Sequence, residues 1–284
     1  MRQKNAVVFF KRILNFKREF LAKLRDKRKA PRYPVGGLFP LKATVNLTGR
    51  VGANGEGGYD WGGRIVNMSS NGVGLQLLRA ATTVRGEVSA LKLSLEEHEL
   101  TVPCIVAHFR TFSGYSLCGL QLKFGDFKKQ KAFLQLVEAV SMGSSFKPTK
   151  GRRIASEHPG LVGDLYTADN KATLTVWRAP KGGEIECFEL VVGAHLIRGG
   201  KTVPPLVVFR MTKPLKPEGS AEVSGEVRRL FRWVVPNLPK AVPSEVKSLM
   251  EYAAQSKTGS ETVSGLRSSA PPSEWQRPPA SKKV

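Results

Sequence analysis

Acid, cysteine and histidine are scarce in this chain, and each shortage narrows its chemistry. The 284 residues hold 23 Asp and Glu against 45 Lys and Arg, a formal net charge of +22. That balance points to anionic partners such as nucleotides, nucleic acid or acidic lipid surfaces. The cysteines are Cys104, Cys118 and Cys187; their number is odd and no pair has CxxC spacing. This excludes a disulfide framework, argues against structural zinc, and reads as reduced, buried thiols in a cytosolic compartment. The four histidines (His98, His108, His158 and His195) lack partners at ligand or triad spacing and read as surface or strand residues. No run reaches the roughly 18 apolar residues of a membrane-spanning helix. The early "AVVFF" is interrupted at once by Lys11 and Arg12 and lacks the h-region and cleavage site of a signal peptide. There is no Walker A loop, no HExxH and no GxSxG, so neither catalysis nor a metal or other cofactor is expected.

What is present is a core-forming amount of apolar residues, 41%, and a strongly uneven charge. Residues 1–32 hold 12 basic and 2 acidic residues, almost half of the excess. Within them, residues 6–27 read as a basic amphipathic helix with Phe9, Ile13, Phe16, Phe20 and Leu24 on one stripe. Such a stripe packs on protein or lies on anionic lipid. Pro31 and Pro34 disfavour helix at the residues before them, so the helix should end near residues 27–29. Arg28 and Arg32 then stand on extended or irregular backbone.

From about residue 38 to 125 the periodicity is that of strands. "LKATVNLTG", "GRIVNMSSNGVGLQLL", "VSALKLSL", "LTVPCIVAHFR" and "YSLCGLQLKF" follow at hairpin-like intervals. Residues 49–63 read as a glycine-rich exposed loop. "DFKKQKAFLQLVEAVS" then switches to helical period, with Asp126 placed to cap it. Short antiparallel strands with a closing helix predict a small β-barrel. The expected organisation is a basic helix over 1–27, the barrel over 28–142 and a linker over 143–153. A small α+β unit of unassigned family over 154–254 and a Ser/Pro-rich disordered tail over 255–284 complete it. The chain is mostly β.

Two motifs remain. "RKAPR" places Arg28 and Arg32 four apart. "NMSSNG" places Asn67, Ser69 and Gly72 in a turn between two strands. The amide and hydroxyl can bond the turn's own backbone or a ligand, and glycine permits a close approach. Taken singly, each motif is common.

Together, RxxxR in an N-terminal linker and [DN]xSxxG within a six-stranded antiparallel barrel that ends in a helix resemble the PilZ family, over roughly residues 26–142. The resemblance implies a non-enzymatic receptor for the bacterial second messenger cyclic di-GMP. Arg28 and Arg32 would fork onto phosphate or guanine, Asn67 and Ser69 would bond guanine and nearby phosphate, and Gly72 would admit the backbone. Lys29 and Arg64 are secondary candidates. Asn67 stands where the family more often has Asp, and an amide lacks a carboxylate's charge-assisted bonds. The long glycine-rich loop makes the distance between the motifs larger than is usual for the family. No signature of a cyclase or phosphodiesterase for the messenger is present.

Ligand would order the linker against the barrel and redirect the N-terminal helix or the second unit toward a downstream protein. The implied location is cytoplasmic, peripheral at most to the inner face of the membrane. The alternative reading is a basic peripheral protein whose residues 1–27 bind anionic membrane, or less readily nucleic acid, beside a barrel that binds no dinucleotide.

Overall fold

A computed structural model describes residues 9–14, 30–49, 58–153, 158–180, 183–200 and 206–255. Alternating burial builds the first half. In β2 (Lys42–Leu47), Ala43, Val45 and Leu47 point inward; in β5 (Val88–Leu95), Leu91, Leu93 and Leu95 do the same. These strands close with β3 (Tyr59–Ser69), β4 (Gly72–Leu78), β6 (His98–Thr111) and β7 (Tyr115–Leu122) into an antiparallel barrel of order β3-β2-β5-β6-β7-β4, with β4 returning to β3. A two-residue strand, β1 (Tyr33–Pro34), adds to the free stretch of β3, with Tyr33 opposite Met68 and Pro34 opposite Asn67.

The glycine-rich loop is shorter than its composition suggests. Tyr59–Gly63 belongs to β3, with Tyr59 opposite Leu47 and Trp61 opposite Val45. Gly63 fits there because a side chain would press on Leu77 and the Gln76 backbone. Residues 50–57 lie outside the described residues, as do 15–29, which hold most of the basic amphipathic stretch and Arg28. The described part of that stretch, 9–14, is a run of bends and turns.

Helix α1 (Phe127–Ser144) closes the barrel sequence. Asp126 caps it, its carboxylate accepting from the Lys128 N–H at 2.7 Å. Its apolar residues Phe133, Leu136, Val137 and Val140 are buried, and it packs on β1, β3 and β6.

The second half is a seven-stranded antiparallel meander in chain order: β8 (Lys147–Arg153), β9 (Val162–Thr167), β10 (Thr173–Arg178), β11 (Ile185–Val192), β12 (His195–Gly200), β13 (Val207–Arg210) and β14 (Lys216–Pro217). Edge strand β8 lies in the stretch whose composition suggested a linker; an edge position tolerates its Pro148. Helices α2 (Ala221–Val234) and α3 (Ser244–Gln255), joined by a 3₁₀ turn at Val235–Asn237, cover one face of this sheet, where Phe188 stacks on Phe231 at 5.6 Å. Ser220 caps α2, accepting from the Val223 N–H at 3.3 Å.

The two halves touch through the N-terminal segment. Phe9 and Phe10 each set an edge against Trp233 of α2, with ring centroids 5.1 Å apart. The Glu226 carboxylate accepts from three consecutive backbone N–H groups, Lys11, Arg12 and Ile13, at 2.8, 3.0 and 3.2 Å. On the other side Gln135 of α1 bonds the backbone of Phe10 and Leu14. Among the described residues no helix is long and apolar enough to cross a membrane.

Candidate ligand-binding site

A register detail on β3 creates the site. Arg64 pairs Gln76 and Ile65 pairs Leu75, but the next pair is Asn67 with Gly74, so Val66 is an extra residue. Without this bulge Ile65 and Met68, three apart, would face opposite sides of the strand. With it both are buried in the core, and Asn67 turns outward. A second bulge, at Ala107 on β6, does the same for His108 between the pairs Val106 with Leu120 and His108 with Gly119.

Two rows therefore cross four neighbouring strands. The inward row is Met68–Val73–Leu120–Val106, all buried. The outward row is Asn67–Gly74–Gly119–His108. Its middle pair of glycines leaves a trough with no side chain in its floor. Gly72 extends that floor at the turn, opposite Gln121, and a side chain there would meet the Leu120 carbonyl.

The trough is a cavity of about 340 Å³. Arg32, Asn67, Ser69, Asn71 and Gly72 line it together with Gly74, His108, Gly119 and Gln121. Arg32 arrives because β1 holds the linker on β3: with Pro34 opposite Asn67, the register runs on to bring Arg32 beside Ser69. Ser69 is buried and bonds within the turn, its hydroxyl 3.3 Å from the Asn71 side-chain oxygen and 3.4 Å from the Gly72 carbonyl. Among the described lining residues Arg32 is a permanent cation and none is a carboxylate. The cavity is suited to a ligand that brings negative charge.

Of the residues singled out in the sequence, Arg32, Asn67, Ser69 and Gly72 come together at this cavity. Arg64 does not line it; it lies one outward row further along and bonds Gln76 at 2.8 Å. Arg28 and Lys29 lie outside the described residues. His108, Gly74 and Gly119 line the cavity and were missed. The bulge at Ala107 has no short-range signature, and only the pairing of β6 with β7 carries His108 across the barrel to this row.

Residues 26–139 match the family model of the PilZ domain. This barrel is a PilZ domain. The match covers the linker, all strands of the barrel and most of α1, and leaves the second sheet unassigned. No curated protein matches the chain. Among solved structures, the Borreliella burgdorferi PlzA protein in complex with c-di-GMP is similar at 11% identity, covering 83% of this chain and 97% of that one, with a TM-score of 0.28. A likeness at that level carries no argument about the PilZ site here.

Outside the PilZ domain one further cluster is notable. Glu189, buried on the second sheet, accepts from Trp177 at 3.0 Å and from Arg198, and stands 3.0 Å from His158. Burial alone would raise its pKa, but the bonds from His158, Arg198 and Trp177 outweigh burial and hold it below the ordinary carboxylate value. Burial pushes the thiols of Cys104, Cys118 and Cys187 up to about 11, 12 and 11, so these cysteines are core groups and not nucleophiles.

Proposed function

We propose that the chain is a non-enzymatic receptor for cyclic di-GMP, which the PilZ cavity binds between the linker arginines and the outward face of β3, β4, β7 and β6. The observation that carries this reading is the convergence of Arg32 with Asn67, Ser69 and Gly72 on one glycine-floored cavity without a carboxylate among its described lining. A cyclic purine dinucleotide has two phosphates and two acceptor-rich base edges. Arginine's planar fork suits both, and Arg28, four residues before Arg32, would supply the second fork.

Binding would fix the linker, and the linker is joined to the second half. Two residues after Pro34 closes on Asn67 the backbone has already crossed to the 3₁₀ turn: the Gly36 N–H donates to Asn237 at 2.8 Å. A conformational change at Arg32 therefore has a short path along the linker backbone and one hydrogen bond to the 3₁₀ turn, and residues 9–14 offer a second path through Glu226. This is the order-on-binding type of switch, with the linker as its moving part.

Calorimetric titration with cyclic di-GMP, with GTP and cyclic di-AMP as controls, tests the reading. Selective binding at micromolar or tighter Kd is expected and should survive moderate salt, unlike nonspecific attraction to the basic N-terminus. Arg28→Ala and Arg32→Ala should abolish it, since losing a charge-assisted bidentate contact costs about 1.5–3 kcal/mol or more, and Asn67→Ala or Ser69→Ala should weaken it. An absence of heat and of thermal shift with the wild type would exclude a cyclic di-GMP receptor. Hydrogen exchange over residues 24–35 should slow on binding; unchanged exchange there rules out the linker switch.

A further inference from the structure

The outward row that contains Asn67 ends in a histidine that no sequence motif of the site includes. A side chain built on Gly119 would come within 1.9 Å of His108 Cε1, 2.4 Å of Nδ1 and 2.5 Å of Nε2, so the imidazole lies on the Gly119 backbone. A side chain built on Gly74 would likewise meet the Asn67 amide, at 2.9 Å from Oδ1 and 3.1 Å from Nδ2. Gly74 and Gly119 are directly paired. Asn67 and His108 start about 14 Å apart at Cα, three strand spacings of about 4.8 Å, yet both side chains fold inward over the two glycines. Amide and imidazole thus lie side by side in the cavity. Unlike Ser69, which bonds within its own turn, neither is held by a hydrogen bond to another described residue.

We propose that His108 is a ligand-contacting residue of this site. Its imidazole donates to acceptor atoms of the bound anion, a phosphate oxygen or a guanine O6 or N7. The proposal rests on the receptor reading above. Its chemistry follows from what replaces the missing charge at Asn67. The amide there cannot make a carboxylate's charge-assisted bonds to the base, while the imidazole N–H beside it can donate to phosphate or to the base's acceptor edge.

The charged surroundings favour this role. On β6 the next outward residue is Arg110, whose guanidinium lies over Phe112 at 5.0 Å. Strand β7 presents Leu117, Gly119 and Gln121, and β4 presents Gly74 and Gln76. The linker brings Arg32. No described carboxylate on these elements faces the imidazole to compete with an anionic ligand for its donor.

The experiment is calorimetry of the full chain with cyclic di-GMP, comparing the wild type with His108→Ala and His108→Gln. His108→Ala should raise Kd about tenfold, and His108→Gln, which keeps a side-chain donor, should raise it less. His108 is exposed, so both variants should fold, and unchanged melting temperatures verify it. A wild-type Kd in both variants overturns the His108 assignment while the receptor reading stands. No wild-type binding overturns both.

Discussion

At the scale of single residues, the electrostatics of the chain is settled by who accepts and who donates. Glu189 is the clearest case outside the PilZ site. Its pKa is held below 4.5 in the folded chain despite burial, through bonds from His158, Arg198 and Trp177. A carboxylate depressed in the folded state contributes stability above its unfolded value and loses it as pH falls through the folded one. The melting temperature should therefore drop more steeply below pH 4.5 for the wild type than for Glu189→Gln. Parallel pH profiles for the two proteins would remove Glu189 from that role. At the site, Arg32, Asn67, Ser69 and Gly72 were legible because motif residues near a linker and a turn need no tertiary knowledge to be noticed. His108 was not legible: "AHFR" reads as plain strand, and its partners Gly119 and Gly74 are distant in sequence.

At the scale of elements, two bulges and one two-residue strand decide which side chains line the cavity. The bulges at Val66 and Ala107 let core residues on both sides of them stay buried while turning Asn67 and His108 outward. Strand β1 seats the linker, and Gly36 then passes so close to the 3₁₀ turn that a Cβ would sit 1.9 Å from the Pro236 carbonyl oxygen. Only glycine allows that approach. Gly36→Val should push the linker off Asn237. Cyclic di-GMP should then bind with a Kd near that of the wild type but no longer alter hydrogen exchange at residues 235–238. A variant that still transmits the change to those residues would show that the Gly36 contact is not the path. Helix α1 was readable in advance, because Asp126 is a capping residue in front of an apolar stripe. The start of β3 was not, because "YDWGG" has the composition of a loop and becomes strand only by pairing with β2.

At the scale of the whole molecule, the PilZ barrel and the second sheet are stapled by a segment that belongs to neither. Residues 9–14 bury Phe9 and Phe10 against Trp233 and are gripped by Gln135 from α1 and Glu226 from α2. Glu226→Ala would leave three backbone donors short of their acceptor, at a cost of about 1–3 kcal/mol. A fall of about 2–4 °C in melting temperature per kcal/mol is expected, with faster exchange at residues 9–14. Unchanged exchange there would mean that the phenylalanines and Gln135 hold the segment without Glu226.

The sequence by itself determined the mostly β character, the closing helix, the buried thiols and the pair of motifs that resemble a PilZ site. These depend on local periodicity, capping and short spacings, which act over a few residues. Tertiary structure alone decided which residues share the cavity floor, that His108 lies beside Asn67, and that the linker touches the 3₁₀ turn at Gly36. Those facts depend on strand register, and a single extra residue at Val66 or Ala107 reverses which side chains face the core. No local signal in the sequence announces where such a residue will be accommodated.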